Sequence, residues 1–138
     1  MTLPILTLPI LLIVDDRQQM LHYRKAALER LGYRVQTAST SMGAIKALQA
    51  NQVTAVLLEY KLEGMDAEAV AFHIKQSFPQ QKIVLLSAYS EVPERLLWLV
   101  DEYVMRSATL ETLAVAIQAV VRKSAVPESA KRAAAASV

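Results

Sequence analysis

Five short apolar runs alternate along the chain with stretches in which apolar residues return every three or four positions. The runs fall at 10–14, 33–38, 54–58, 83–86 and, more weakly, 102–105. Runs of this length, bounded by polar or glycine-containing turns, read as strands of a buried parallel sheet. Helical spacing falls at 18–31, 39–50, 66–77, from Glu91 or Pro93 to Leu99, and at 109–123. The first helix is marked by Met20, Leu21, Ala27, Leu28 and Leu31, with Gly32 placed to close it. In the second, Ser39, Thr40 or Ser41 serves as the cap, Met42, Ile45 and Leu48 share a face, and Gly43 costs a little stability. The third opens on Asp66 and buries Val70, Phe72 and Ile74 in some combination, and the fourth accepts Pro93 in its first turn. The last carries Leu110, Leu113, Ile117, Val120 and Val121 on one stripe. This alternation predicts an α/β, doubly wound parallel sheet of five strands and five helices, with helices on both faces and right-handed crossovers.

The polar residues at the strand ends are more specific. The first run stops at Asp15 and Asp16, the third at Glu59, the fourth at Ser87 and the fifth at Arg106. All fall on the carboxyl edge of one parallel sheet, where open α/β folds place their chemistry. Two carboxylates ~4 Å apart repel by ~4 kcal/mol at an effective dielectric of ~20, so the cluster needs a cation or a proton. Oxygen donors with room for water suit Mg²⁺, and Arg106 is the alternative within the chain.

Composition narrows the classes. The chain has 138 residues, 54% of them hydrophobic and 20% charged, enough for one globular domain with a real core. Cysteine is absent, which removes disulfides and thiolate metal sites and fits a reducing, cytoplasmic compartment. The formal net charge is +2 and its basic residues are scattered, so no nucleic-acid groove is expected. The uncharged start is too short and too broken by Pro4 and Pro9 to span a membrane. The expected organisation is an extended lead-in at 1–9, a domain at 10–123 and an alanine-rich tail or short helix at 124–138.

Four segments together carry a family resemblance. Leu11-Leu12-Ile13-Val14-Asp15-Asp16, the stretch from Val56 through Glu59 to Asp66, Ile83 to Tyr89, and Glu102 to Ser107 are similar, in order and spacing, to the receiver domain of two-component response regulators. That resemblance implies a flavodoxin-like sheet of strand order 2-1-3-4-5. It implies that Asp15, Asp16 and the Lys61 carbonyl correspond to a Mg²⁺ site, Glu59 to the phosphoacceptor aspartate, Ser87 and Tyr103 to switch residues, and Arg106 to a phosphate-contacting lysine. Implied partners are a sensor histidine kinase, a phosphotransfer protein or another signalling protein. A homodimer through the face of the fourth helix, fifth strand and fifth helix is a further candidate.

The departures redirect the expectation. Glu59 stands where the family has aspartate, Arg106 and Ser107 where it has lysine and proline, and Ala67 where it has glycine. A glutamate adds one methylene, beyond the positional tolerance of in-line transfer, and an arginine fork is no substitute for a compact ammonium. The expected protein is therefore an atypical stand-alone receiver, not an enzyme and not phosphorylated in the usual way, acting by protein–protein contact. Glu59 either imitates the phosphorylated state or is an inert ionic group paired with Arg106. Mg²⁺-dependent phosphorylation of Glu59 and an unrelated flavodoxin-like ligand binder are the alternatives, the latter weakened by the lack of a glycine-rich loop after the first strand. Trp98 is either core or a contact residue, and His22 and His73 are surface or boundary positions.

Overall fold

The computed structural model describes residues 9–88, 92–105 and 109–125, with 123–125 described by backbone alone. Within them the elements run β1 (Ile10–Val14), α1 (Gln18–Arg30), β2 (Arg34–Ala38), α2 (Ser41–Ala50), β3 (Ala55–Glu59), α3 (Ala67–Ser77), β4 (Lys82–Ser87), α4 (Glu94–Leu99), β5 (Glu102–Met105) and α5 (Leu110–Ala125). The strands form one parallel sheet in the order β2-β1-β3-β4-β5. The expected alternation and strand order are both present. The expected lead-in and alanine-rich tail lie almost wholly outside the described residues, as do Tyr89, Arg106 and Ser107.

Side chains alternate across the sheet and divide the core in two. Leu11, Ile13, Ala55, Leu57, Val84 and Leu86 pack with Leu21 and Leu28 of α1 and with Leu113, Ile117 and Val120 of α5. Leu12, Val14, Val56, Leu58, Ile83 and Leu85 pack with α2, α3 and α4 through Ala44, Leu48, Val70, Ala71, Ile74 and Leu96. β3, in the middle, is buried at every residue. Only a strand covered on both faces supports so continuous an apolar run.

The local sequence explains the boundaries. Gly32 takes φ +97° just beyond α1, a conformation that favours glycine. Thr40 caps α2 by accepting a hydrogen bond from the Gly43 amide at 2.9 Å. A Cβ at Gly43 would lie 3.0 Å from that threonine oxygen, so this glycine has a steric reason as well as a helix-propensity cost. Asp66 caps α3 through the Glu68 amide at 2.9 Å. Asp101 ties the opposite, amino end of β4 by accepting from the Ile83 amide (2.8 Å) and from Lys75 (3.1 Å).

Some apolar positions depart from expectation. Met42 and Phe72 are exposed, and Leu31 is half exposed beyond the end of α1. α2 and α3 face the sheet with Ala44, Leu48, Ala67, Val70, Ala71 and Ile74, so Met42 and Phe72 fall on their outer sides. Replacing the fully buried Leu57 by alanine is expected to cost about 2–5 kcal/mol. Phe72→Ala, at an exposed position, is expected to change stability by about 0.5 kcal/mol or less. Urea unfolding of the two variants checks the contrast.

Candidate functional site

The carboxyl edge of the sheet is built by the ends of β1, β3 and β4. Register pairs Val14 with Leu58 and Glu59 with Leu86, which brings Asp15, one step past β1, alongside Glu59. Alternation continues from Ile13 to Asp15 and from Leu57 to Glu59, so both carboxylates belong to the face covered by α1 and α5. Each is fully buried. A buried pair of like charges needs a counter-charge at the same depth.

Two arginines of the segment following β1 supply it. The Arg17 guanidinium lays its fork on Asp15, with Nε 3.1 Å from Oδ1 and Nη2 3.0 Å from Oδ2. The same Nη2 donates to Glu59 Oε1 at 2.9 Å, so one nitrogen joins the two strand ends. The Asp15 Oδ1 atom also accepts the Arg17 amide at 2.9 Å, fixing the turn into α1. Arg24, one and a half turns into α1, reaches both carboxylates from below, 3.5 Å from Asp15 Oδ2 and 3.5 Å from Glu59 Oε2. Its side chain is only 9% exposed, against 23% for Arg17, so Arg24 lies deep and Arg17 sits at the mouth. The Arg17 guanidinium is held above its already high ordinary pKa, chiefly by its hydrogen bonds to Asp15 and then by the nearby carboxylates, with burial opposing. A raised pKa on the guanidinium gives stability that is fully present below its unfolded value and is lost only as pH rises through the folded one.

Asp16 turns the other way. Its Oδ2 atom accepts the amides of Glu63 (2.8 Å) and Gly64 (2.7 Å), pinning the loop between β3 and α3, while Oδ1 is buried without a hydrogen-bond partner among the described residues. The expected acidic residues are thus gathered at one edge, but Asp15 and Glu59 are ion-paired and Asp16 holds a loop. The Lys61 side chain is exposed beyond β3. Ser87 is fully buried at the end of β4, where alternation assigns it to the face of Ile83 and Leu85, and Tyr103 packs on that same cluster. Ser87 and Tyr103 therefore belong to the α2, α3 and α4 side, and the arginine–carboxylate cluster to the α1 and α5 side.

A divalent ion does not fit this arrangement of donors. Mg²⁺ requires near-octahedral oxygens at ~2.0–2.1 Å. Here both Asp15 oxygens and both Glu59 oxygens face guanidinium nitrogens, leaving Asp16 Oδ1 as the uncommitted carboxylate oxygen. Among the described residues no group of three or more acidic or histidine side chains is placed to hold a metal.

Sequence reasoning missed Arg17 and Arg24 and named Arg106, which lies outside the described residues, as the counter-charge. The signal for Arg24 was present: it interrupts the buried stripe of Leu21, Arg24 and Leu28. Of the two expectations for Trp98, the structure has the exposed one, at 81% exposure, and His22 and His73 are also exposed.

Comparison with known proteins agrees with the fold. The family model for the response regulator receiver domain matches residues 11–118. The transcriptional regulatory protein TctD of Salmonella typhimurium is 26% identical over 118 residues, covering 83% of this chain and 53% of its own. The chain spans about half the length of the curated relatives it matches. The response regulator TrrA of Thermotoga maritima, solved in complex with Mg²⁺-BeF, is 28% identical with a TM-score of 0.75, over 82% of this chain and 99% of that one. A structure of the histidine kinase ThkA in complex with TrrA matches with 28% identity and a TM-score of 0.74, over 82% and 98% of the two chains.

Removing one member of the buried cluster leaves the others uncompensated. Asp15→Ala is expected to cost about 3–5 kcal/mol in urea unfolding, with little relief from 1 M salt. By contrast, the exposed Arg95, paired with Glu68 on the surface, should contribute about 1 kcal/mol or less, and salt should erase it.

Proposed function

This chain belongs to the response regulator receiver family of two-component signalling, and from that premise we propose that it is an atypical member, not phosphorylated in the usual way, that signals by protein–protein contact. The observation that carries the reading is the buried Glu59 carboxylate held 2.9 Å from Arg17 and 3.5 Å from Arg24. Phosphoryl transfer is positioning and electrostatics, and it asks the acceptor oxygen to lie in line with the incoming phosphorus beside a metal ion. Glu59 is one methylene too long for an aspartate's place, and its oxygens are turned to guanidinium groups.

Glu59 acts here as a fixed ionic group and not as an imitation of phosphate. The ion pairs of Glu59 run to Arg17 and Arg24, on the side of the sheet covered by α1 and α5. The protein has no catalytic residue in this reading, and Mg²⁺ is not its cofactor. The unrelated flavodoxin-like binder loses its support with family membership.

The output surface is the side of α4, β5 and α5. Trp98 is 81% exposed, and Leu97 beside it in the sequence is also exposed. An exposed tryptophan next to an exposed leucine has the composition of an interaction hot spot. TrrA is crystallised with a histidine kinase, which makes a histidine kinase, a phosphotransfer protein or another signalling protein the partner class for this chain. A second copy is the other occupant considered.

Incubation with acetyl phosphate and Mg²⁺, followed by intact mass measurement, tests the reading. The expected mass is unchanged. A phosphoryl gain that disappears in Glu59→Gln would instead establish Glu59 as an acceptor. Sedimentation of the wild type and Trp98→Ala addresses the surface: a dimer that the substitution dissolves assigns it to self-association, and a monomer assigns it to a different protein.

A further inference from the structure

We propose that the outward face of α5 is self-complementary, and that two copies of this chain meet there as an antiparallel helix pair about a two-fold axis. This goes beyond the proposed function and uses a different surface from the exposed Trp98. α5 packs on one face of the sheet through Leu113, Ile117 and Val120, and α4 packs on the other through Leu96. Opposite its buried stripe, α5 carries Glu111, Ala114, Val115, Gln118, Ala119 and Arg122, which helical spacing gathers into one arc. Glu111, Val115, Gln118 and Arg122 are exposed, Val115 at 69%.

The first support is charge. A two-fold contact needs a patch that complements itself. With the axis passing between Ala116 and Ile117, each outward residue lies as far before that point as another lies after it. Glu111 then meets Arg122 of the second copy, Ala114 meets Ala119 and Val115 meets Gln118. Two ion pairs therefore flank a centre of small and apolar residues. Among the described residues neither Glu111 nor Arg122 has an ion pair within the chain, so no existing pair has to break. A parallel pairing would set Glu111 against Glu111 and Arg122 against Arg122, so the charges select the antiparallel one. The helix dipole accounts for an acid in the first turn and a base near the end, but not for their alignment on one face with Val115 between them.

The second support is shape. Ala114 and Ala119 leave a shallow hollow on this face, bordered by Val115, Gln118 and Arg122. Small side chains at a crossing let two helix axes approach to ~8 Å, the close end of helix packing. The Gln118 side-chain amide donates to the Tyr33 hydroxyl at 2.8 Å, so Gln118 is already positioned before a second copy arrives. That bond also sets this part of α5 beside the turn between α1 and β2. A pair of helices about four turns long buries less than the ~1,200 Å² of stable interfaces, so the dimer is weak and reversible.

Sedimentation equilibrium of the full chain tests the proposal. The wild type is expected to dimerise with a dissociation constant on the order of 100 µM. Glu111→Arg and Arg122→Glu, each alone, set like charges together and should weaken the dimer by at least about tenfold. A one-to-one mixture of these two variants restores both ion pairs and should recover near wild-type association, which a merely misfolded variant cannot do. Trp98→Ala should dimerise as the wild type does. Because the chain has no cysteine, a single introduced one reports the register. Under mild oxidation Val115→Cys is expected to form a disulfide with its own copy. Arg122→Cys should not, since at ~1.5 Å per residue the two copies of that position lie about 16 Å apart along the helices, beyond the ~7 Å a disulfide spans. A wild type that stays monomeric at about 1 mM overturns the proposal and leaves the face to a different protein. So do single reversals that dimerise like the wild type, a mixture that stays monomeric, a dimer lost in Trp98→Ala, and Arg122→Cys cross-linking more readily than Val115→Cys.

Discussion

Two carboxylates buried side by side at the end of a parallel sheet are the constraint around which this structure is arranged. Asp15 and Glu59 are each fully buried at the ends of adjacent central strands. Burial strips the water that would otherwise screen them, and their mutual repulsion rises as the local dielectric falls. The fold answers with an arginine in the turn after β1 and another one and a half turns into α1. The consequence is mechanical as well as electrostatic, because Arg17 bonds to the end of β1 and to the end of β3 at once. The start of α1 is thereby fastened to the sheet edge by charge as well as by the packing of Leu21 and Leu28.

Alternation of side chains decides which parts of the edge can communicate. Residues on one strand face opposite sides in turn, so Asp15 and Glu59 fall with the α1 and α5 layer while Ser87 and Tyr103 fall with the α2, α3 and α4 layer. Asp16 links the edge to neither helix layer but to the loop before α3, through the Glu63 and Gly64 amides. The edge thus contains a charged cluster and, by alternation, a buried serine hydroxyl assigned to the opposite face of the same sheet.

The fold was legible in the sequence because the apolar runs and helical stripes alternate regularly, and four of the five runs stop at a polar residue. Ends shifted by a residue or two, as at Ser87 and Glu59, where the ladder continues into polar positions that an apolar pattern excludes. Phe72 and Met42 were misjudged because size was read as burial, while both fall on the outer sides of their helices. The site was half legible. Residue type and order place Asp15, Asp16, Glu59 and Ser87 at one edge, but ion pairing is a matter of side-chain reach, which sequence position does not encode. An arginine on an apolar stripe, as at Arg24 between Leu21 and Leu28, is the one local sign that a buried carboxylate awaits it.

A built-in counter-ion also alters what can act as a signal. A ligand shifts a conformational equilibrium only by its difference in affinity between the two states. In a receiver that binds metal and phosphate, both are such ligands, and removing them restores the resting state. Where the cation is part of α1, its concentration beside the carboxylates is fixed by the chain and does not follow the ionic composition outside. Salt screens it weakly because the partners are buried. The remaining variable that can bias such a domain is a surface contact, since a partner that recognises one arrangement of α4 and β5 selects it by mass action. Trp98 and Leu97 of α4 are exposed, while the ionic cluster is buried at the ends of β1 and β3.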